Sequence, residues 1–255
     1  MKIKNKLPIL CIIFLIISSC ASKKKYVYFN KDLIQKKELN NFNPILKTGD
    51  ILNINVFSSN VETSVPFNLP IANTNVRAGY TNGIAATSGY LINQEGQIDF
   101  PVLGKISLID LNSIEASELL KTKLDMYLNN PLVTIQIQNF KVTVLGEVRN
   151  PGTFQVPNER ITVLEALGLA GDLTINGRRD NITLIRDNNG IKEEISINLT
   201  SKEIFNNNYY YLAQNDVLYI EPNQAKINSS TMSNSYGMFI SITSLLITTI
   251  NVLTK

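Results

Sequence analysis

Few residues in this 255-residue chain have types and spacings suited to chemistry: the carboxylate pairs Glu115/Glu118 and Glu193/Glu194, the adjacent cations Arg178 and Arg179, and the run Tyr209, Tyr210, Tyr211. Two carboxylates suffice for glycoside hydrolysis, one as acid and one as base or nucleophile. Neither pair is well placed for it. Glu193 and Glu194 fall on a predicted hairpin, where alternation sends neighbours to opposite faces, and Glu115 reads as a helix cap three residues behind Asn112. Both pairs read more simply as solvated charges. The two arginines suit an anionic sugar or a partner protein, although a surface turn explains them with less. The tyrosines can stack on sugar rings, and a sheet edge uses them equally well. There is no histidine, which removes the commonest general base and metal ligand. The chain has no phosphate-binding loop, dinucleotide-binding glycine pattern, nucleophile elbow or metal-spaced ligand set. The expectation is a protein that is not an enzyme and takes no cofactor and no metal.

The remaining reactive groups are two thiols, Cys11 and Cys20. Lys2, Lys4 and Lys6 precede a short apolar run over residues 7–17, and Ser18-Ser19-Cys20 follows. That is the layout of a secretory signal, too short to span a bilayer comfortably. Ile17-Ser18-Ser19-Cys20 resembles the bacterial lipobox, which implies a signal peptide over 1–19 and a diacylglycerol joined to Cys20. Cys11 would leave with the signal, so no disulfide and no cysteine metal site is expected. The net charge of +3 includes the three signal lysines, leaving a formally neutral mature chain and no basis for nucleic-acid binding. Residues 20–41, with Lys23, Lys24 and Lys25, read as a lipidated tether. Ala21 is not an Asp, and by resemblance to other lipoproteins that favours the outer membrane.

Around these groups the chain alternates between strand and helix patterns. Leu52, Ile54 and Val56 share one strand face after the turn Lys47-Thr48-Gly49-Asp50, where Gly49 suits a positive φ and Asp50 can cap the backbone. Residues 58–89 are rich in Ser, Thr, Asn and Gly and read as a long loop with little core. Strands are expected near Tyr90 and over 97–101. A capping box at Asn112/Glu115 opens a helix carrying Ile114, Leu119, Leu120, Leu124 and Leu128, and Asn129-Asn130-Pro131 stops it. Val133, Ile135 and Ile137 alternate as a half-buried strand. A second unit starts near Val142, passes Gly146 and the turn Asn150-Pro151-Gly152, and opens a second capped helix at Thr162/Glu165. That helix ends on Gly171 as its left-handed cap. Asp187-Asn188-Asn189-Gly190 reads as a hairpin turn. The pattern is α+β.

One motif occurs twice. Leu46-Lys47-Thr48-Gly49-Asp50-Ile51-Leu52-Asn53-Ile54 and Leu212-Ala213-Gln214-Asn215-Asp216-Val217-Leu218-Tyr219-Ile220 both read L-x-x-[G/N]-D-[I/V]-L-x-I. Gly and Asn best tolerate the left-handed position such a turn requires. Common turn chemistry and a duplicated edge strand explain the repeat equally well.

The stretch from Asn43 to Ile54 resembles the opening motif of bacterial outer-membrane polysaccharide export lipoproteins. Gly96-Gln97-Ile98-Asp99-Phe100-Pro101 and Gly104-Lys105-Ile106 fit that family's next strands. Val144-Leu145-Gly146-Glu147-Val148-Arg149-Asn150-Pro151-Gly152 with Ala166-Leu167-Gly168-Leu169-Ala170-Gly171 is similar to its soluble-ligand-binding β-grasp (SLBB) unit. The resemblance implies a polysaccharide export domain over 42–140, one SLBB-like β-grasp domain over 141–222 and a linker over 223–234. The long loop, the single β-grasp unit and Asn215-Asp216 in place of Gly-Asp depart from the family pattern.

The resemblance also implies a homo-oligomeric ring whose C-terminal helices form a barrel through the outer membrane. Its cargo would be a capsular or exopolysaccharide chain, and its partner an inner-membrane chain-length and tyrosine-kinase protein. Residues 235–255 bear on this independently. At 100° per residue Ser241, Ser244, Thr248 and Asn251 fall within about 80°, and Phe239, Ile242, Leu246, Ile250 and Leu253 fall within a similar arc roughly opposite. The first set would line water and the second face outer-membrane lipids. The expectation is an amphipathic transmembrane helix, with the body in the periplasm. A lipoprotein that binds sugar or scaffolds a complex without a pore is the alternative.

Overall fold

The computed structural model describes residues 27–30, 43–69, 89–188, 190–232 and 235–253. The lipidation candidate Cys20 and the signal segment lie outside them.

The first half is built on β1 (Ile51–Phe57), whose period of two is visible in its burial: Leu52, Ile54 and Val56 are almost fully enclosed. They pair antiparallel with Ile137, Ile135 and Val133 of β5 (Leu132–Ile137), and a short β2 (Tyr90–Leu91) closes the other edge. A separate hairpin is formed by β3 (Gln97–Phe100) and β4 (Gly104–Ser107). Asn112 and Glu115 form the expected capping box on α2 (Ser113–Leu124), and Ala116, Leu120 and Leu124 are its buried face. This helix ends at Leu124, earlier than the Asn129 stop. Leu128 is buried from the turn beyond it, and Ile114 faces solvent rather than the core.

Residues 58–89 are not wholly loop. Asn60 caps α1 (Val61–Ser64), which runs into a 3-10 turn (Val65–Phe67) that buries Phe67. The Asn68 carboxamide then pairs with the backbone N–H and C=O of Val56 (2.8 and 2.9 Å). Those contacts satisfy the edge of β1 as a neighbouring strand would. Residues 70–88 of the expected loop lie outside the described residues.

The second half is a five-stranded sheet in the order β10-β9-β12-β6-β7. Its strands are β6 (Lys141–Gly146), β7 (Gly152–Gln155), β9 (Gly177–Asn188), β10 (Ile191–Ile197) and β12 (Val217–Pro222). β12 runs parallel to β6 and antiparallel to β9. A short ladder of β8 (Ile161–Thr162) and β11 (Tyr211–Leu212) flanks α3 (Val163–Leu169), which starts at the Thr162/Glu165 capping box and buries Val163, Ala166 and Leu167. Gly171 follows α3 at φ +74°, the left-handed cap its position suggests. The mixed helix-and-sheet architecture is the α+β class expected.

Past β12 the chain forms α4 (Gln224–Met232) and α5 (Ser235–Leu253). The C-terminal helix thus exists, but as a transmembrane helix it is not supported. Among the described residues no helix is long and apolar enough to cross a membrane. Hydroxyls and one carboxamide, Asn251, interleaved along α5 lower its apolarity below what a lone crossing takes.

Candidate functional site

The two copies of the L-x-x-[G/N]-D motif adopt one local structure. Gly49 and Asn215 both take the left-handed backbone, at φ +87° and +65°. In each turn the aspartate side chain accepts from the backbone N–H three residues earlier, Asp50 from Lys47 and Asp216 from Ala213 (2.8 and 2.7 Å). In each, the left-handed residue donates its N–H to a neighbouring segment, and the aspartate carbonyl accepts from the same segment. The pairs are Gly49 to Ile92 with Ile92 to Asp50, and Asn215 to Lys141 with Thr143 to Asp216. The neighbour runs antiparallel in the first copy and parallel in the second, as the strands that follow do.

Asn139 joins the copies. Its carboxamide accepts from Ile51 N–H and donates to the Gly49 carbonyl, while its own carbonyl accepts from the Gln214 side chain (2.9, 3.0 and 2.8 Å). The motif turns therefore meet at the junction between the two halves. A second strut crosses nearby: the Glu159 carboxylate accepts from the Ile137 N–H and from Ser113 Oγ. Burial raises the Glu159 pKa above the ordinary carboxylate value.

The environments of the two aspartates differ. Asp216 is fully buried and held by Arg186, whose Nη2 lies 2.6 Å and Nε 3.0 Å from its oxygens. The Tyr209 ring lies 5.3 Å from that guanidinium. Asp50 is equally enclosed, at 2 % exposure, but no cation forms an ion pair with it among the described residues. Burial pushes its pKa up to about 6, against the lowering effect of the Lys47 backbone bond.

Gly146 ends β6 at φ +91°, and a Cβ there would lie 2.1 Å from the Ile220 carbonyl oxygen. Only glycine allows β6 and β12 to approach so closely. Arg149 and Asn150 form the bend, and Pro151 leads from it into Gly152, the first residue of β7. These motif positions are structural, and none presents a reactive group.

Other candidates of the sequence reading separate. Glu115 and Glu165 are engaged as caps. Glu118 makes only a surface pair with Lys121, and Glu193 and Glu194 lie side by side on β10. Arg178 and Arg179 do not form a surface turn but open β9. Arg178 pairs with Asp180 and Glu221, whereas Arg179 is buried at 7 % exposure and donates Nη1 to the carbonyls of Thr174 and Gly177. Tyr211 sits on β11 under Arg160 (4.8 Å), the sheet-edge role. No group of metal-ligating side chains occurs among the described residues.

The C-terminal helix is the remaining candidate. Gly237, Ser241, Ser244 and Thr248 are exposed, as are Ile240, Ile242, Leu245 and Val252. For Phe239, Leu246, Ile250, Asn251 and Leu253 the helical backbone is described but not the side chain. Ser241 Oγ donates to the Gly237 carbonyl (2.7 Å), Ser244 Oγ to Ser241 (3.0 Å), and Thr248 Oγ1 to Ser244. This row of hydroxyls runs along one face, each satisfied by its own helix.

Residues 40–138 match the family model described as polysaccharide biosynthesis/export protein, and residues 141–194 match the SLBB domain. The chain therefore carries a polysaccharide biosynthesis/export domain followed by an SLBB domain. Two curated relatives are similar to it, each named EPS I polysaccharide export outer membrane protein EpsA. The protein of Ralstonia nicotianae is 29% identical over 143 residues, which is 54% of this chain and 37% of the relative. That of Ralstonia solanacearum is 26% identical over 131 residues, 50% of this chain and 34% of the relative. The match thus spans little more than a third of the relatives' own length.

Proposed function

We propose that this chain is a subunit of an outer-membrane conduit for capsular or exopolysaccharide. Cys20 carries the lipid that anchors it, residues 20–41 tether it, and the export (42–140) and SLBB (141–222) domains form an oligomeric ring in the periplasm. Residues 223–234 link the ring to a stave, residues 235–255. The export-domain and SLBB matches and the relatives' names support a role in polysaccharide export at the outer membrane. The pore reading rests on the exposed row of Ser241, Ser244 and Thr248 on a 19-residue helix, taken with Asn251, which helical spacing puts in the same sector and whose carboxamide a single helical carbonyl cannot satisfy. Such a helix is about 28 Å long, close to the thickness of a thin bilayer. In a ring, its polar sector turns to a water-filled lumen and Phe239, Ile242, Leu246, Ile250 and Leu253 turn to lipid. About eight helices ~10 Å apart would enclose a lumen of roughly 15 Å, wide enough for one glycan strand. The path is passive and non-enzymatic. An inner-membrane chain-length and tyrosine-kinase protein supplies the drive.

Cysteine labelling in intact cells tests this reading. Ser244 and Ile242 are both exposed on the isolated subunit, so unequal labelling would report what surrounds the helix. A water-soluble thiol reagent is expected to modify S244C and spare I242C. Equal modification of both, or normal surface polysaccharide after removal of residues 235–255, refutes the pore. The second result supports a lipoprotein that binds sugar or scaffolds a complex, a reading favoured by the marginal apolarity of α5.

A further inference from the structure

A cleft of about 600 Å³ opens between the start of β9, the end of β12 and α4, within the size range of small-molecule sites. Strand alternation builds its floor. Arg178 and Asp180 fall on the open face of β9, and Tyr219 and Glu221 on the same face of β12, while Arg179, Leu218 and Ile220 are buried. Gln224 and Ile227 of α4 form the facing wall. Tyr219 is 40 % exposed and Ile227 42 %, so an aromatic ring and an aliphatic side chain both border the opening.

The polar groups around the ring are held in place yet incompletely used. The Arg178 guanidinium lies 2.7 Å from Glu221 Oε2 and 3.2 Å from Asp180 Oδ1, and Asn181 Nδ2 lies 3.4 Å from the same Glu221 oxygen. Among the described residues, Arg178 Nη2, the second oxygen of each carboxylate and the Tyr219 hydroxyl make no hydrogen bond. Fixed donors and acceptors beside a flat ring suit a sugar. Its hydroxyls can donate to a carboxylate and accept from a guanidinium while its C–H face lies on the aromatic ring. The charges also discriminate. Two carboxylates face one guanidinium, and Arg179 adds no surface charge, because its guanidinium is buried against the Thr174 and Gly177 carbonyls and the Tyr28 ring. The cleft is therefore locally negative and disfavours a uronate or phosphate on the ligand. That is the reverse of the anionic sugar the two adjacent arginines suggest in the sequence.

We propose that this cleft is a glycan-binding subsite for a short uncharged stretch of sugar chain, stacked on Tyr219 and hydrogen-bonded to Arg178, Asp180 and Glu221. It rests on the export reading only for the source of the glycan.

The test is saturation-transfer NMR on the full chain in a sugar-free detergent, titrated with cellohexaose, maltohexaose and hexagalacturonate. The two neutral probes should bind at millimolar concentration, and hexagalacturonate several-fold more weakly. Tyr219→Ala should weaken the neutral probes several-fold. Asp180→Asn/Glu221→Gln is isosteric and should remove most of the discrimination against hexagalacturonate, a ratio that a merely structural role for these groups would not move. Circular dichroism checks each variant, and Tyr219→Leu replaces Tyr219→Ala if the smaller side chain unfolds the strand. Hexagalacturonate binding as tightly as the neutral probes overturns the subsite. So does the absence of saturation transfer to both neutral probes, or an affinity unchanged by loss of the Tyr219 ring. Deletion of the whole chain in cells tests the export reading separately. Unchanged surface polysaccharide beside intact binding refutes export and upholds the cleft, and lost polysaccharide without binding does the reverse.

Discussion

The repeated motif predicts that one substitution, Asp to Asn, has opposite consequences in its two copies. At Asp50 the carboxyl is buried without an ion pair among the described residues, and its pKa rises from 3.8 to about 6. The folded protein then binds a proton that the unfolded chain has released, so this group's stabilisation is complete below pH 3.8 and is lost as pH rises through about 6. At ~1.4 kcal/mol per pKa unit the loss approaches about 3 kcal/mol above the window. Asn is nearly isosteric with protonated Asp, and its carbonyl can still accept from the Lys47 N–H. Urea unfolding of the detergent-solubilised protein at pH 4 should therefore find Asp50→Asn as stable as the parent, within about 0.5 kcal/mol. At pH 7.5 the variant should be the more stable by about 2–3 kcal/mol. At Asp216 the same change leaves Arg186 buried beside a neutral amide, and removing one member of such a pair costs about 3–5 kcal/mol near neutral pH. A gap between parent and Asp50→Asn that is the same at pH 4 and 7.5 would refute the burial reasoning. So would a loss of stability at pH 7.5.

Two further substitutions separate backbone from side-chain demands. Gly146→Ala should prevent accumulation of folded protein, because its Cβ would meet the Ile220 carbonyl at 2.1 Å; circular dichroism and protease resistance would read the loss, and normal folding would refute the close approach. Asn251→Leu makes the tail more apolar and raises rather than lowers its helix propensity. It should lower surface polysaccharide several-fold if this sector lines a conduit, and unchanged export would count against that lining.

Much of the fold was legible because it rests on short-range chemistry. Leu52, Ile54 and Val56 announce a half-buried strand by period alone, and both capping boxes announce helix starts within four residues. The motif turns could be placed because a left-handed residue followed by an aspartate that accepts backwards is local chemistry. What escaped depends on distant partners. Phe67 is buried from a polar stretch because α1 folds back toward β1, and no periodicity marks so short a helix. Arg179 looked like a surface cation, since nothing near it in sequence identifies Tyr28 as the ring beside it. The packing of Tyr28 and Phe29 on the core was hidden for the same reason. Their partners Asp172, Leu199 and Phe205 lie more than 140 residues away. The repeat was seen, but the role of Asn139 between its copies needed the fold.

The tail shows why polar residues in an apolar helix should not be counted alone. Ser241, Ser244 and Thr248 donate to carbonyls of their own helix, so none brings an unsatisfied donor into lipid. Their penalty in hydrocarbon is then smaller than that of free hydroxyls, and the hydroxyl row alone does not require water. Asn251 is different in kind, because a carboxamide carries two donors and an acceptor that a single helical carbonyl cannot satisfy. Helical spacing in the sequence puts it in the sector of the hydroxyls, so an arrangement that hydrates Asn251 would turn the whole row inward as well. A solitary helix in lipid has no such arrangement. A closed ring has one, and its oligomerisation would offset the apolarity that α5 lacks by itself.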